Sequence, residues 1–384
     1  MRFPEFSGEW IESKLGDIAD FSKGAGISKD QRSEEGNPCI LYGELYTRYK
    51  SEVITNVFSK TALPDSELVK SKANDIIIPA SGETAEDIAT ARCVPFNNIL
   101  LGGDLNIIRL HEQDGKFFSY QLNGVRKYDI ATIAQGVSVV HLHAGDLKGI
   151  TVKYPSHIAE QEKISQILGL IDDRIATQSK IIEELTTLRS ALLEKVFQVS
   201  NPTLEVGAIA HQTSERNKLC RYSNVLSVSN RFGFINQSEQ FEDRNVASDD
   251  VRNYKVVHRG DFAYNPARIN VGSIAMLKSF ESGIVSPMYI CFQVDDTIVD
   301  PSFFELFLET EAFKDEMEIR LEGSVRRCLS FEALCEIHLP RPALLVQRSI
   351  SDKIGNISSK IKLEDRILRA YIRQKEWLLR QMFI

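Results

Sequence analysis

Leu378–Phe383 reads LLRQMF, and Leu192–Phe197 reads LLEKVF, 186 residues earlier. A phrase said twice, half a chain apart in 384 residues, points to an internal repeat, and a repeat decides the architecture. Outward from this pair, Ile164, Leu168, Ile171, Ile175, Gln178, Ile182, Leu185, Leu192 and Val196 follow steps of three and four, with one step of seven. Adding 186 to each gives Ile350, Ile354, Ile357, Ile361, Glu364, Leu368, Tyr371, Leu378 and Met382. The row is apolar in both copies except at one place, polar in both, where Gln178 and Glu364 stand. Such steps mark a long amphipathic helix with a coiled-coil seam. Two unrelated surface helices would be the plainer alternative; the matched register favours a mutual pair.

The repeat runs upstream. QGVSVVHLHAGDLKGITVKYP (135–155) lies over EGSVRRCLSFEALCEIHLPRP (322–342), placing Gly136 on Gly323, Leu147 on Leu334 and Pro155 on Pro342. ANDIIIPASGETAEDIATA lies over RGDFAYNPARINVGSIAML, with Asp75 opposite Asp261. LYGELYTRY (41–49) lies over LSVSNRFGF (226–234), and KLGDIA (14–19) over EVGAIA (205–210). The expected fold class is therefore α+β: two mixed α/β units in tandem, each followed by a long helix, the two helices pairing as an antiparallel coiled coil. Punctuation places the first unit at 1–157, a central helix at 158–200, the second unit at 201–343 and a last helix at 344–384. Ser156 is the expected cap of the first helix, and Ser200-Asn201-Pro202 ends it. Short apolar runs such as DIIIPA, NILLGG, NIIRL, GITVKY, YICFQV and EIHLP predict strands. Residues 302–320 predict one helix, with Phe303, Phe304, Leu306, Phe307 and Phe313 in the core.

Composition bounds the function. With 43% hydrophobic and 26% charged residues the chain is ordinary globular protein. No apolar run approaches the length a membrane span needs, and MRFPEFSGEW has no signal-peptide core. Six cysteines (39, 93, 220, 291, 328 and 335) without CxxC spacing predict reduced thiols and a cytoplasmic location. The net charge of −7 argues mildly against nucleic acid as a partner, although a local patch can carry the opposite sign.

The order of these motifs resembles the specificity subunit of type I restriction–modification systems, the HsdS family. The residues that carry the resemblance are Gly136, Leu147, Ile150, Pro155, Glu160, Gln161, Ile164 and Leu168 in the first copy. In the second they are Gly323, Leu334, Ile337, Pro342, Gln347, Ile350 and Ile354, with the Glu-Gln pair reduced to Val346-Gln347. The stretches 259–275 and 283–292 are also similar to that family's target-recognition domains. The resemblance implies that each unit reads one half of an asymmetric, split double-stranded DNA site. It implies that the helix pair sets the gap and docks two methylation subunits, through which restriction subunits join. It further implies that this chain carries no chemistry and no cofactor of its own.

The residues agree. Asn265-Pro266-Ala267-Arg268 starts like the [D/N/S]-P-P-[Y/F/W] loop of adenine methyltransferases but lacks the second proline and the aromatic. No phosphate loop is present. His141-x-His143 has the spacing of two metal ligands on a strand face but lacks a third ligand nearby, and a half-buried strand explains it better. Asp172-Asp173 and Glu183-Glu184 are expected as solvated helix charge.

Phosphate contacts call for Arg, Lys and hydroxyls, and base edges for Arg, Asn and Gln. From Ser214 to Lys278 ten Lys+Arg stand against seven Asp+Glu, a net of 10 − 7 = +3, against −7 for the chain. The candidate DNA-binding residues of the second unit are Arg216, Lys218, Arg221, Asn230, Arg231, Asn265, Arg268, Asn270, Arg326 and Arg327. Those of the first are Lys23, Lys29, Tyr42, Glu44, Tyr46, Arg48, Ser81, Thr84, Arg92, Gln135 and Ser138. From Ser22 to Tyr49 the charges cancel, four against four, so the first set rests on correspondence with the second. Ordinary surface polarity is the competing account of each residue. Two other readings of the whole chain stand beside this one: a coiled-coil scaffold joining protein partners, and the specificity component of a variant methyltransferase-based defence system. A nuclease or methyltransferase site built without a known motif is the enzyme alternative.

Overall fold

The computed structural model describes residues 2–64, 66, 68–136, 138–198, 203–237, 250–323 and 327–383. Its plainest β signal, the β-branched run DIIIP, forms strand Asp75–Pro79, buried along its whole length. Leu105–Leu110 pairs antiparallel with it on one side and Arg92–Val94 on the other; Ala19–Lys23 closes the sheet beyond Leu105–Leu110. A second sheet of this unit, Arg32–Ser33, Ser59–Thr61, Asn37–Ile40 and Leu100–Leu101, contributes to a smaller core around Ile40, Leu45, Ile77 and Leu101. Trp10–Lys14 pairs with Thr151–Pro155 and brings the start of the unit to the root of the long helix.

The chain divides into two compact units, Met1–Ile181 with Glu364–Ile384, and Ile182–Leu363. The second repeats the plan of the first. Its main sheet runs Ala210–Thr213, Ile290–Val294, Phe262–Tyr264, Ile274–Met276, again antiparallel throughout. Thr203–Glu205 pairs with His338–Pro340 as Trp10–Lys14 pairs with Thr151–Pro155. Even close approaches recur: a Cβ on Gly16 would lie 2.8 Å from Lys148 Cβ, and one on Gly207 would lie 2.9 Å from Cys335 Cβ.

One helix expected at 302–320 is two, Pro301–Phe307 and Glu311–Arg320. Thr310 makes the break: its hydroxyl accepts from Phe313 N–H and donates to Phe307 carbonyl, so it caps one helix while closing the other. The five expected core residues are all buried, Leu306 at 8% exposure and the four phenylalanines at 2% or less.

The long helices span Ile158–Gln198 and Leu344–Met382. Ser156 is not the cap of the first; the N–H groups of Glu160 and Gln161 turn back to the His157 carbonyl. A side-chain clamp does the anchoring instead. Asp114 caps the helix Gly115–Asn123, and its own N–H donates to Gln161 Oε1 at 3.0 Å. Ser165 donates to the Asp114 carboxylate, and Gln161 Nε2 donates to the Pro155 carbonyl. In the second unit Asp300 caps Pro301–Phe307, its N–H donates to Gln347 Oε1 at 2.9 Å, Ser351 donates to its carboxylate, and Gln347 Nε2 donates to the Pro342 carbonyl. Each buried polar group finds a partner, so the helix root is satisfied without a conventional cap.

The helices pack together, antiparallel. In the first unit Leu378, Met382 and Phe383, late in the second helix, share a core with Ile164, Leu168 and Ile171, early in the first. In the second unit Leu193 and Phe197, late in the first helix, share a core with Ile354, early in the second, and Ile350 packs on its edge. Ile175, Ile182, Leu185, Ile357, Ile361, Leu368 and Tyr371 are half-buried. The polar place in the row pairs with its own repeat: Gln178 Nε2 donates to the Glu364 carbonyl at 3.2 Å and to its carboxylate. Leu192 departs from the expected seam at 36% exposure, and Leu193 turns inward at 4%. A straight helix drifts ~20° per heptad, so the seam passes to the next residue after the seven-residue step.

Candidate nucleic-acid interface

Each unit carries a cavity, and matching segments line both. In the first unit the cavity is about 730 Å³, lined by Leu41–Glu44, the turn Gly103-Asp104, and Ile27, Ser28, Lys29, Gln31 and Arg32 among others. In the second it is about 370 Å³, lined by Leu226–Asn230, Ser286, Met288, Tyr289, Asn265, Arg268 and Ser273 among others. Leu41–Glu44 and Leu226–Ser229 are the same positions of the repeat at an offset of 185, so the cavities were built from one plan.

Local chemistry then diverges. In the first unit Glu44–Thr47 is one turn of helix, with Glu44 accepting from Leu41 N–H at 3.2 Å and from the Ser59 hydroxyl. Arg92 lies beneath it, 8% exposed, donating to the carbonyls of Leu45 and Tyr49 at 3.1 and 2.9 Å. In the second unit the alternation LSVS/GFIN makes a hairpin, Leu226–Ser229 with Gly233–Asn236, and Gly233 at φ 65° takes the left-handed position after the loop. Its floor is fixed by Ser273 donating to the Val228 carbonyl, Tyr289 hydroxyl accepting from Val228 N–H, and buried Lys255 donating to the Tyr289 carbonyl.

Charge differs as well. Two cations, Lys29 and Arg32, and two carboxylates, Glu44 and Asp104, line the first cavity; among the described residues that line the second, Arg268 is the cation and no carboxylate is present. Burial pushes the Cys39 thiol, behind the first cavity, up to about 11, and the nearby Tyr46 hydroxyl is raised by burial and then by Tyr42, Asp87 and Glu83. Neither is ionised at neutral pH.

Of the sequence-predicted residues, Lys29, Tyr42 and Glu44 meet at the first cavity and Asn230, Asn265 and Arg268 at the second. Arg231 is exposed beside them, its guanidinium 5.1 Å from the exposed Phe232 ring; Asn270 is exposed in the turn Ile269–Val271. Lys23, Lys218 and Arg221 are exposed elsewhere on their units; Arg216 is exposed with its guanidinium on the Asn253 carbonyl. Arg48 stacks 4.4 Å over Phe58, and Tyr46 is half-buried. Arg92 and Ser81 are corrections to the expected surface. Arg92 is spent on backbone carbonyls, and Ser81 is a buried strand residue paired with His141. Thr84 caps the helix Ala85–Ile88. Gln135 bridges His141 at the neck of a loop carrying Gly136 at φ 128°, and Ser138 is exposed in it. Arg327 pairs with Glu318 at 2.6 Å, and Arg326 lies outside the described residues. Asp172 is another correction: expected in solvent, it is 9% exposed and accepts from the Tyr120 hydroxyl. The His141 and His143 rings stack at 6.4 Å, both residues exposed, and no group of three metal-ligating side chains exists among the described residues. No helix of the described residues is long and apolar enough to cross a membrane.

Sequence reasoning missed Arg32 and Asp104. The signal for Asp104 was the turn Gly102-Gly103-Asp104 ahead of a strand; the residue takes φ 55°, which Asp tolerates better than most.

A tandem of two such heads on paired helices has known counterparts. Residues 7–187 match the family described as the type I restriction modification DNA specificity domain. The chain is 23% identical to the type I restriction enzyme MjaVIII specificity subunit of Methanocaldococcus jannaschii, over 95% of this chain and 89% of that one. In fold it is similar to the type I restriction-modification S subunit from M. genitalium, with TM-score 0.63 and 16% identity over 100% and 99% of the two chains. It is also similar to a chain from a structural study of complex assembly and conformational transition in the type I R-M system, with TM-score 0.55 and 13% identity over 99% and 98%. These likenesses are to specificity subunits of type I restriction–modification systems, and the family model itself covers residues 7–187.

Proposed function

We propose that this chain chooses the DNA sequence at which a cytoplasmic type I complex acts, each unit reading one half of an asymmetric, split site. The observation that carries this reading is the pair of cavities at matching repeat positions with different linings. One frame holds two readers, so the two halves differ while their spacing is fixed. The helix pair sets that spacing and receives two methylation subunits, and restriction subunits join through them. Adenine methylation and ATP-driven cleavage reside in those partners, and this chain supplies position and selectivity.

The test is modified-base sequencing of DNA from cells expressing this chain with its methylation subunit. A split motif methylated in both halves, lost when the chain is omitted, is the expected result. An active copurifying methylation subunit that marks no motif would replace this reading with that of a protein scaffold.

A further inference from the structure

We propose that the two cavities read base edges of opposite hydrogen-bonding sense: the second takes a guanine through Arg268, and the first takes an amine-bearing base, cytosine or adenine, through Asp104. The inference rests on the proposed function and adds the chemistry of each half-site. Arg268 is exposed at the cavity, and its guanidinium makes no hydrogen bond or ion pair among the described residues. Its backbone is held on both sides. Its N–H donates to the Asn265 carbonyl at 2.9 Å, and its carbonyl accepts from Ser273 N–H at 3.1 Å. Asn265 is itself locked, its side-chain oxygen accepting from Ala267 N–H. A guanidinium fork on a fixed turn, with no carboxylate among the described lining residues to divert it, matches the paired O6 and N7 acceptors of guanine.

The first cavity presents the reverse. Asp104 is exposed, its carboxylate makes no hydrogen bond or ion pair among the described residues, and its carbonyl is fixed by Ala80 N–H at 2.7 Å. Glu44 lines the same cavity, 7% exposed and held by Leu41 and Ser59. Ionised carboxylates only accept, so they favour the 4-amino group of cytosine or the 6-amino group of adenine and repel the acceptor edge of guanine. Arg32, tied through Nε to the Lys29 carbonyl, and Lys29 itself offset their charge, which lets a phosphate backbone approach.

The test maps methylated sites for the complex with the native chain, Arg268→Ala, Arg268→Lys and Asp104→Asn. Asn keeps the left-handed turn and loses the charge. Both Arg268 variants should relax one guanine position in one half, because Lys keeps the charge without the fork. Asp104→Asn should relax a cytosine or adenine position in the other half. Independently, the native complex should bind roughly tenfold more weakly to its site when that guanine is 7-deazaguanine. If the native complex marks a split site but neither half changes, if both variants act on one half, or if no 7-deazaguanine position matters, this inference falls and the proposed function stands. If the native complex marks no split site, the proposed function itself falls.

Discussion

Lys375 and Arg189 occupy matching places in the two repeats, as do Asp172 and Ser358, yet the two units use them differently. In the first unit Lys375 Nζ lies 2.6 Å from Asp172 and 2.5 Å from Glu52, with side-chain exposures of 14%, 9% and 9%. Tyr120 donates to Asp172 at 2.7 Å, and its ring centroid is 5.6 Å from the Lys375 ammonium. In the second unit Arg189 donates to Ser358 at 2.7 Å and to Glu309, whose side chain is 45% exposed. The same helix crossing is a buried charge network in one unit and a wet ion pair in the other. By contrast, Asp114/Gln161/Ser165 and Asp300/Gln347/Ser351 share the same three bonds: Asp N–H to Gln Oε1, Ser hydroxyl to the Asp carboxylate, and Gln Nε2 to a proline carbonyl. The lesson is that the repeat fixes the helix root and the sheet order, while the crossing and the cavity are free to diverge.

The largest expected effect breaks the crossing. Lys375→Met leaves Glu52 and Asp172 buried without their cation and should cost ~3–5 kcal/mol, whereas Arg189→Met should cost at most ~1 kcal/mol. Urea unfolding of the two variants would show it; equal losses would erase the contrast. The pH dependence has a definite sign. Burial alone would lower the Lys375 pKa, but Glu52 and Asp172 outweigh it and raise the value above 10.5. Its contribution is therefore complete below 10.5, the unfolded value, and is lost as pH rises through the folded one. The native chain should weaken on that alkaline limb, and Lys375→Met should lack the limb.

Gln161→Ala and Gln347→Ala sharpen the other side of the comparison. Each strands a buried N–H and a buried carbonyl and should cost ~1–3 kcal/mol, by similar amounts. Unlike losses would mean that the two roots are not equivalent. Ile175→Glu and Ile361→Glu place a charge on the half-buried seam and should cost about 1–2 kcal/mol each, with weaker assembly on the methylation subunit. A double variant of native helix content, stability and assembly would remove both from the seam. The smallest effect is on salt dependence. Lys218→Ala should reduce the salt slope of DNA binding by the complex by about 1 while leaving its site unchanged. An unchanged slope would take Lys218 out of the interface.

Much of the frame was legible in the sequence because it rests on local period: DIIIP, NIIRL and YICFQV read as strands, and both long helices begin where their prolines release them. Thr310 was hidden by a continuous apolar rhythm on both sides of it. Glu160-Gln161 was visible as a motif, but its role depends on Asp114, 47 residues away, so no window of sequence contains the clamp. Arg92 misled for the same reason: a cation in a short strand reads as surface until Leu45 and Tyr49 are seen to receive it. Arg268 and Asn230 were legible by residue type, but their meeting at one cavity was not, because a tertiary fold and not a spacing brings them together.

The central claim, one frame with two different readers, is tested most directly by removing the difference. A chain carrying the first repeat twice, assembled with the methylation subunit, should mark an interrupted palindrome made of the half-site that Asp104→Asn alters. An assembled complex that still marks an asymmetric site, or marks none, would contradict it.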